Sequence, residues 1–358
     1  VKAIETLYWS LDPVRPDPQV LARAGKILRR GGLVAFPTET VYGLGASALD
    51  PRAVARIFEV KGRPQDNPLI VHVAGPGEVA GLVEGEVPPQ ASLLIKLFWP
   101  GPLTLVLPAA PHLPPQVTAG LPTVALRMPA HPVALGLIAA AGVPVAAPSA
   151  NLSGRPSPTT AQHVLEDLGG RIEAVLDAGP AAIGLESTVL DLTGPVPLIL
   201  RPGGITPEEL AEVLGEVRLA PGAGGEPCAL PRPRSPGMKY RHYAPRAPLL
   251  LVEGDPQRVA GRIAELARGY LARGKAVGIL AYEETAPLYR LPEGRVSLVV
   301  AGSRDNPRAV AAALFGALRR LDALGVDVIL AEGMEPRGVG LAVMNRLRRA
   351  AGENVEKV

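Results

Sequence analysis

Cysteine is almost absent: Cys228 is the one example in 358 residues. A lone thiol excludes a disulfide framework and every multi-cysteine zinc or iron–sulfur site. Aromatic residues are few, with 2 Trp, 7 Tyr and 4 Phe, so the cores must be built from Ala, Val, Leu and Ile. No charged-then-apolar leader opens the sequence, which points to a cytoplasmic protein. One long stretch without Asp, Glu, Lys or Arg runs from 128 to 154. It is long enough for a membrane span, but Pro132, Gly136, Gly142, Pro144 and Pro148 break it into helix, turn and strand. Nucleotide signatures are missing too: there is no G-x-x-x-x-G-K-S/T loop and no G-x-G-x-x-G. Gly43-Leu44-Gly45 lacks the third glycine and runs into Ala46-Ser47 rather than a helix start. No H-E-x-x-H occurs, and the five histidines are too dispersed for a metal cluster.

The length suggests two domains, and a hydrophobic share of 47% can supply two cores. Gly and Pro, 40 each, exceed the usual share. They are spread without a period and apolar periodicity persists between them, so the chain reads as folded. Arg outnumbers Lys 30 to 7 and Asn occurs five times, a bias that fits a thermophile or a GC-rich genome. The net charge of +3 is too slight to require a nucleic-acid partner.

Asp17-Pro18 reads as an N-cap with proline at the first helical position; Val20, Leu21, Ala24, Ile27 and Leu28 form the stripe and Gly31 ends the helix. Asp50-Pro51 opens a second helix carrying Val54, Ile57 and Phe58. Strands are predicted over 33–36, 69–73, 103–107, 123–128, 143–147, 188–192 and 198–201. Helices are predicted over 92–98 and 132–141, from a cap at Thr159 or Thr160 to Gly169, and from Thr206-Pro207. The pattern is α/β, one mixed and twisted sheet. From 215 to 247 the periodicity stops; Pro and Gly are dense, and Arg232, Arg234, Lys239, Arg241 and Arg246 meet no acidic residue between Glu226 and Glu253. So long a loop is a linker or a lid. Beyond it, strands at 249–252, 277–280, 296–300 and 326–330 alternate with helices at 257–271, 306–324 and 341–350, a small doubly wound domain. The predicted division is 1–214 catalytic, 215–247 linker and 248–358 C-terminal.

Polar residues collect at the predicted strand ends, where α/β folds place ligands. Thr38-Glu39-Thr40 follows the first strand. Lys61 and Arg63 flank a glycine after a helix; they suit a polyanion as well as they suit a solvated helix end. Ser149 and Asn151, two apart, share a face if extended. Arg127 ends a buried strand and needs an anionic partner, from the protein or from a substrate. Glu186-Ser187-Thr188 and Arg201 complete the set. No nucleophile–base pair is evident, and Cys228 has no local partner. Four cations among hydroxyls and amides read as an anion site that works by positioning and charge neutralisation, as in phosphoryl or nucleotidyl transfer.

Lys61-x-Arg63 followed by Ser149-x-Asn151 resembles the signature tetrad of YrdC-type proteins. The runs FPTETVYGLG, KGRPQDNPLIVHV, WPGPLTLVLP, TVALRMPAHP, APSANLSG, ESTV and LRPGG are similar to that domain nearly end to end. SPGMKYRHYAP at 235–245 resembles the connector of its two-domain members, and GVGLAVMNR at 338–346 their C-terminal domain. The sequence is thereby identified as a member of the two-domain YrdC-type threonylcarbamoyl-AMP synthases.

The resemblance implies a YrdC-like twisted mixed sheet followed by a smaller Rossmann-like parallel domain. It implies a nucleotidyltransferase that joins L-threonine, bicarbonate and ATP, with Mg²⁺, into L-threonylcarbamoyladenylate and diphosphate. A separate tRNA threonylcarbamoyl transferase complex then modifies the adenosine beside the anticodon. The implied threonine site is Thr40, His72, Arg127, Ala147 through its backbone, and Ser187. The implied nucleotide site is Arg63, Asn67, Thr123, Ser149, Ser157, Arg201 and, from the linker, Tyr243. Lys61, Arg63, Ser149 and Asn151 form the catalytic tetrad, and no side chain is assigned to the metal. YrdC-type domains are also associated with tRNA and double-stranded RNA, so the alternative is an RNA-binding factor without synthase activity; the low charge and few aromatics argue against it. A hydrogenase-maturation carbamoyltransferase with a related domain carries zinc fingers that one cysteine cannot supply.

Overall fold

The structure is a computed structural model that describes residues 4–226, 233–234, 242–290 and 294–358. Cys228, Arg232, Lys239, Arg241 and most of the 235–245 connector lie outside the described residues.

Helix starts follow local chemistry. Asp17 accepts from the backbone N–H of Gln19 at the head of Pro18–Arg29, and Asp50 accepts from Arg52 and Ala53 ahead of Pro51–Lys61. Thr160, not Thr159, caps Ala161–Leu168 by accepting from His163 N–H. Thr206 and Glu209 form a reciprocal capping box on Pro207–Leu214.

Among the described residues, eleven strands form one mixed sheet. Side by side they run Leu7–Ser10, Ala174–Asp177, Val34–Phe36, Gly43–Ser47, Val145–Ala146, Ile70–His72, Thr123–Arg127, Leu103–Pro108, Thr188–Asp191, Leu198–Arg201 and Arg218–Leu219. Side chains alternate between the faces. On one face Leu44, Val71, Leu105, Leu126 and Ala146 join a continuous apolar core with Val54, Ile57 and Leu94 of the covering helices. The other face carries two separate apolar patches. Val34, Phe36, Val145 and Ala147 pack on Leu21, Leu28 and Leu137, while Ile70, Val106, Ala125, Val189 and Leu200 form the second patch.

Five strands escaped the sequence pattern: Leu7–Ser10, Gly43–Ser47, Ala174–Asp177, Arg218–Leu219 and Val355–Lys357. All are short, and a pairing partner rather than local propensity makes them strands. Gly43–Ser47 was hidden by its glycines. A Cβ on Gly45 would come within 2.8 Å of Val145 and 2.9 Å of the Phe36 ring, so this glycine serves packing, not phosphate. Residues 215–226 are also more ordered than an aperiodic linker. Arg218–Leu219 extends the sheet, and the backbone carbonyls of Gly222, Ala223 and Gly224 accept from Arg349, Asn345 and Arg348.

The second sheet is parallel throughout, in the order Val296–Val300, Val277–Ala281, Val328–Glu332, Leu249–Glu253 and Val355–Lys357. Pro256–Ala272 covers one face through Val259, Ile263 and Ala267. Pro307–Ala323 and Val339–Ala351 cover the other through Leu314, Phe315, Met344 and Leu347. That second apolar cluster reaches across to Val41 and Leu185 of the first sheet's loops, and to Tyr243. The approach is close: a Cβ on Gly184 would lie 2.5 Å from Ala312 Cα.

Candidate functional site

A cavity opens on the two-patch face of the first sheet. Ala147 from one patch and Ile70 from the other both line it. Ile70 and His72, alternate residues of one strand, line it together. The cavity therefore lies over the sheet face, not along a shared edge of strand ends. Mixed strand directions are the reason: Ile70–His72 runs antiparallel to Val145–Ala146, so their C-terminal ends point opposite ways.

Of the residues expected at the site, Thr40, Arg63, His72, Arg127, Ala147, Ser149, Asn151, Ser157, Ser187, Arg201 and Tyr243 line this cavity. Lys61, Asn67 and Thr123 do not. Gly62, in the left-handed conformation at φ 61°, ends the helix and redirects the chain between Lys61 and Arg63. Both cations are buried, 3% and 8% exposed, which removes the solvated-helix-end reading. They also do not form one fork. Lys61 Nζ donates to the backbone carbonyls of Ser149, at 2.5 Å, and of Asn151. Burial first, then the Arg63 charge, holds its ammonium well below the usual lysine range. Arg63 donates to the carbonyls of Asn67 and Pro68, at 3.2 and 2.9 Å from Nη2. Asn67 thus supports Arg63 through its backbone, and its side-chain Oδ1 is buried without a partner. Thr123 begins the strand that Arg127 ends, about 13 Å away along an extended chain.

The Ser149 segment is held from several sides. Gly43 and Ser149 form a β-bridge, and Ala150 N–H donates to Tyr42 O at 2.8 Å. Asn151 Nδ2 donates to the carbonyls of Leu152 and Arg155, leaving its buried Oδ1 without a partner.

Arg127 finds its anion inside the protein. Its Nη2 donates to Glu39 Oε1 at 2.6 Å, its Nη1 to Thr40 Oγ1 at 3.0 Å and its Nε to Gly101 O at 3.3 Å. His72, facing Arg127 across the strand pair, is pushed down to about 3 by burial and then by the Arg127 charge. It is neutral, and Nδ1 lies 3.2 Å from Ile70 O; a proton there leaves Nε2 as an acceptor. Ser187 Oγ shares a hydrogen bond with Thr104 at 2.7 Å, and Arg201 donates to the Ser187 carbonyl and hydroxyl.

Sequence reasoning assigned no role to several groups here. Glu186 lines the cavity and pairs with Arg346 of the second sheet's helix at 2.9 Å. Asp167 binds Arg155 at 2.6 Å and Arg319 at 2.8 Å, again joining the two halves. His242 also lines the cavity, its pKa lowered to about 3 chiefly by burial. Tyr243 holds a left-handed φ of 62° and stacks on Phe315, ring centroids 5.3 Å apart. The run containing Arg346 was visible as a motif; its partner 160 residues earlier was not. Among the described residues no cluster of three His, Cys, Asp or Glu side chains could hold a metal ion. With Glu186 committed to Arg346, the cavity offers a divalent cation no cage. No described helix is long and apolar enough to cross a membrane.

A family model described as "Telomere recombination", spanning the Sua5, YciO and YrdC proteins, matches residues 26–203. A second, "Threonylcarbamoyl-AMP synthase, C-terminal domain", matches 205–352. The threonylcarbamoyl-AMP synthase of Pyrococcus abyssi is 51% identical over 94% of this chain and 95% of its own length. That of Bacillus subtilis is 51% identical over 98% and 99%. Among solved structures, Pyrococcus abyssi Sua5 complexed with L-threonine matches with a TM-score of 0.92 at 49% identity, covering 99% of this chain and all (100%) of that one. Cavity, two-sheet architecture and likeness over nearly the whole length agree, and the chain belongs to the two-domain threonylcarbamoyl-AMP synthase family.

Proposed function

We propose that this chain joins L-threonine, bicarbonate and ATP into L-threonylcarbamoyladenylate, releasing diphosphate. The observation that carries the reading is a cavity lined by three buried arginines, Arg63, Arg127 and Arg201, by the more exposed Arg155, and by the hydroxyls of Thr40, Ser149, Ser157 and Ser187. Such a lining suits two anions that must meet. A guanidinium has five N–H donors; Arg127 commits three to Gly101, Thr40 and Glu39. The remaining two suit the α-carboxylate of threonine, and His72 supplies an acceptor nearby.

Bicarbonate takes up a proton and loses water to give carbon dioxide; held so, the threonine amine adds to it and sheds a proton, leaving a carbamate. A carbamate oxygen attacks the α-phosphorus of ATP, and the bond to the bridging oxygen of diphosphate breaks. Arg63 and Arg201 would neutralise the charge that builds there, with Lys61 behind the Ser149–Asn151 backbone. Each such contact is worth about 10²–10³ in rate by analogy with oxyanion donors. Mg²⁺ is proposed as a companion of the triphosphate, not a resident of the protein, and we derive no step through it. We assign catalysis to the predicted 1–214 domain, with the strand Arg218–Leu219 added to its sheet, and a lid role to the end of the 215–247 segment that carries His242 and Tyr243, whose place in the cavity wall supports it. The product would pass to a cytoplasmic transferase complex acting on tRNA.

Incubation with ATP, Mg²⁺, bicarbonate and single amino acids tests the reading. Diphosphate release should depend on threonine. Release indifferent to the amino acid, or none at all, would overturn it.

A further inference from the structure

Glu186 is the odd group in an anion site. It is 7% exposed and lines the cavity beside Arg63 and Arg201. A bare carboxylate there would repel phosphates and carry a large burial cost. Both its oxygens are committed. Oε1 accepts from the Ser157 hydroxyl, and Oε2 accepts from Arg346 Nε at 2.9 Å. Arg346 belongs to the helix Val339–Ala351 over the second sheet and is fully buried. Its other donors go to Pro202 O at 2.7 Å, Asn345 Oδ1 at 3.0 Å and Glu186 O at 3.2 Å, and its guanidinium lies 5.4 Å over the Tyr243 ring. Every partner fixes the arginine, and the arginine fixes the carboxylate.

The direction of the Ser157 bond follows. Burial pushes the Glu186 carboxyl up, but Arg346 and then Arg201 pull it further down, below its ordinary value. An ionised carboxylate only accepts, so the hydrogen in that bond is the serine's. A hydroxyl has one hydrogen. Toward the cavity Ser157 Oγ therefore presents lone pairs alone, and its ligand partner must be a donor. The phosphates of ATP offer none at neutral pH; the 6-amino group and the ribose 2′ and 3′ hydroxyls do.

We propose that Arg346 is a positioning residue of the second domain which, through Glu186, sets Ser157 as a hydrogen-bond acceptor for the nucleoside half of ATP. The assignment rests on the synthase reading above. It gives the C-terminal domain a part in nucleotide recognition beyond covering the sheet.

The test uses the full chain and threonine-dependent diphosphate release. Arg346→Met should raise KM for ATP about tenfold, the worth of one hydrogen bond, and leave KM for threonine unchanged. Added to Ser157→Ala it should do little more, because both remove the same contact. In the wild type, one of 2′-deoxy-ATP, 3′-deoxy-ATP and purine riboside triphosphate should lose about tenfold in kcat/KM. Ser157→Ala should be indifferent to that same change. Equal effects of Arg346→Met on both substrates, or full additivity with Ser157→Ala, would overturn the proposal. Should Arg346→Met not fold, the analogue series decides: a wild type and a Ser157→Ala variant that discriminate alike refute it. A wild type that releases no diphosphate under any of these conditions would refute the synthase reading instead.

Discussion

Lys61→Met separates the stability of a buried cation from its use. In the folded chain its ammonium makes two charge-assisted hydrogen bonds, to the carbonyls of Ser149 and Asn151, worth about 1.5–3 kcal/mol each. Against this stands the burial of a charge with no carboxylate at ion-pair distance among the described residues; Asp167 and Glu186 act on it only from further off. That burial costs several kcal/mol. Methionine fills similar volume, so the two sides roughly cancel and net stability should move by no more than about 2 kcal/mol. For a domain of this size that is under about 8 °C in the unfolding midpoint. The reaction has no such compensation: with the Ser149–Asn151 backbone no longer held, kcat should fall at least about tenfold, short of the roughly 10²–10³ of a donor that touches the developing charge. Calorimetry on the variant, beside threonine-dependent diphosphate release, reads both. An unchanged rate would refute the role given to Lys61. A rate loss matched by unfolding at the assay temperature would refute the separation.

Two further outcomes concern stability. His72 and His242 are held at about 3 in the fold against 6.5 for a free histidine, so the unfolded chain binds their protons more tightly. Stability should fall as pH drops from 6.5 toward 3, by about 4 kcal/mol for the pair at pH 5; urea midpoints that match at pH 7 and pH 5 would count against it. Gly261 and Gly269 lie in the helix Pro256–Ala272, and an added Cβ meets nothing within 4 Å at either. Alanine at each should add about 0.5–1 kcal/mol without touching diphosphate release, and a lowered denaturation midpoint would show the reasoning wrong.

How much was legible in advance depended on where the determining partner sat. Asp17-Pro18 and Asp50-Pro51 announced their helices because a capping carboxylate and a pre-set φ act within a turn. Gly45 misled for the opposite reason. Its lack of a side chain answers to the Phe36 ring and to Val145, a neighbour that no local pattern reveals.

The same division holds at the site. Sequence alone determined the alternation of apolar residues, hence two α/β halves, and the supply of buried cations and hydroxyls near strand termini. Only the tertiary structure decided that the cavity opens on a sheet face, that Lys61 stands behind the Ser149 loop, that Glu39 answers Arg127, and that Arg346 answers Glu186. Those last two pairs join residues 88 and 160 positions apart. Periodicity and capping act within a few residues, whereas the cost of a buried charge is settled by whatever chain the fold brings beside it.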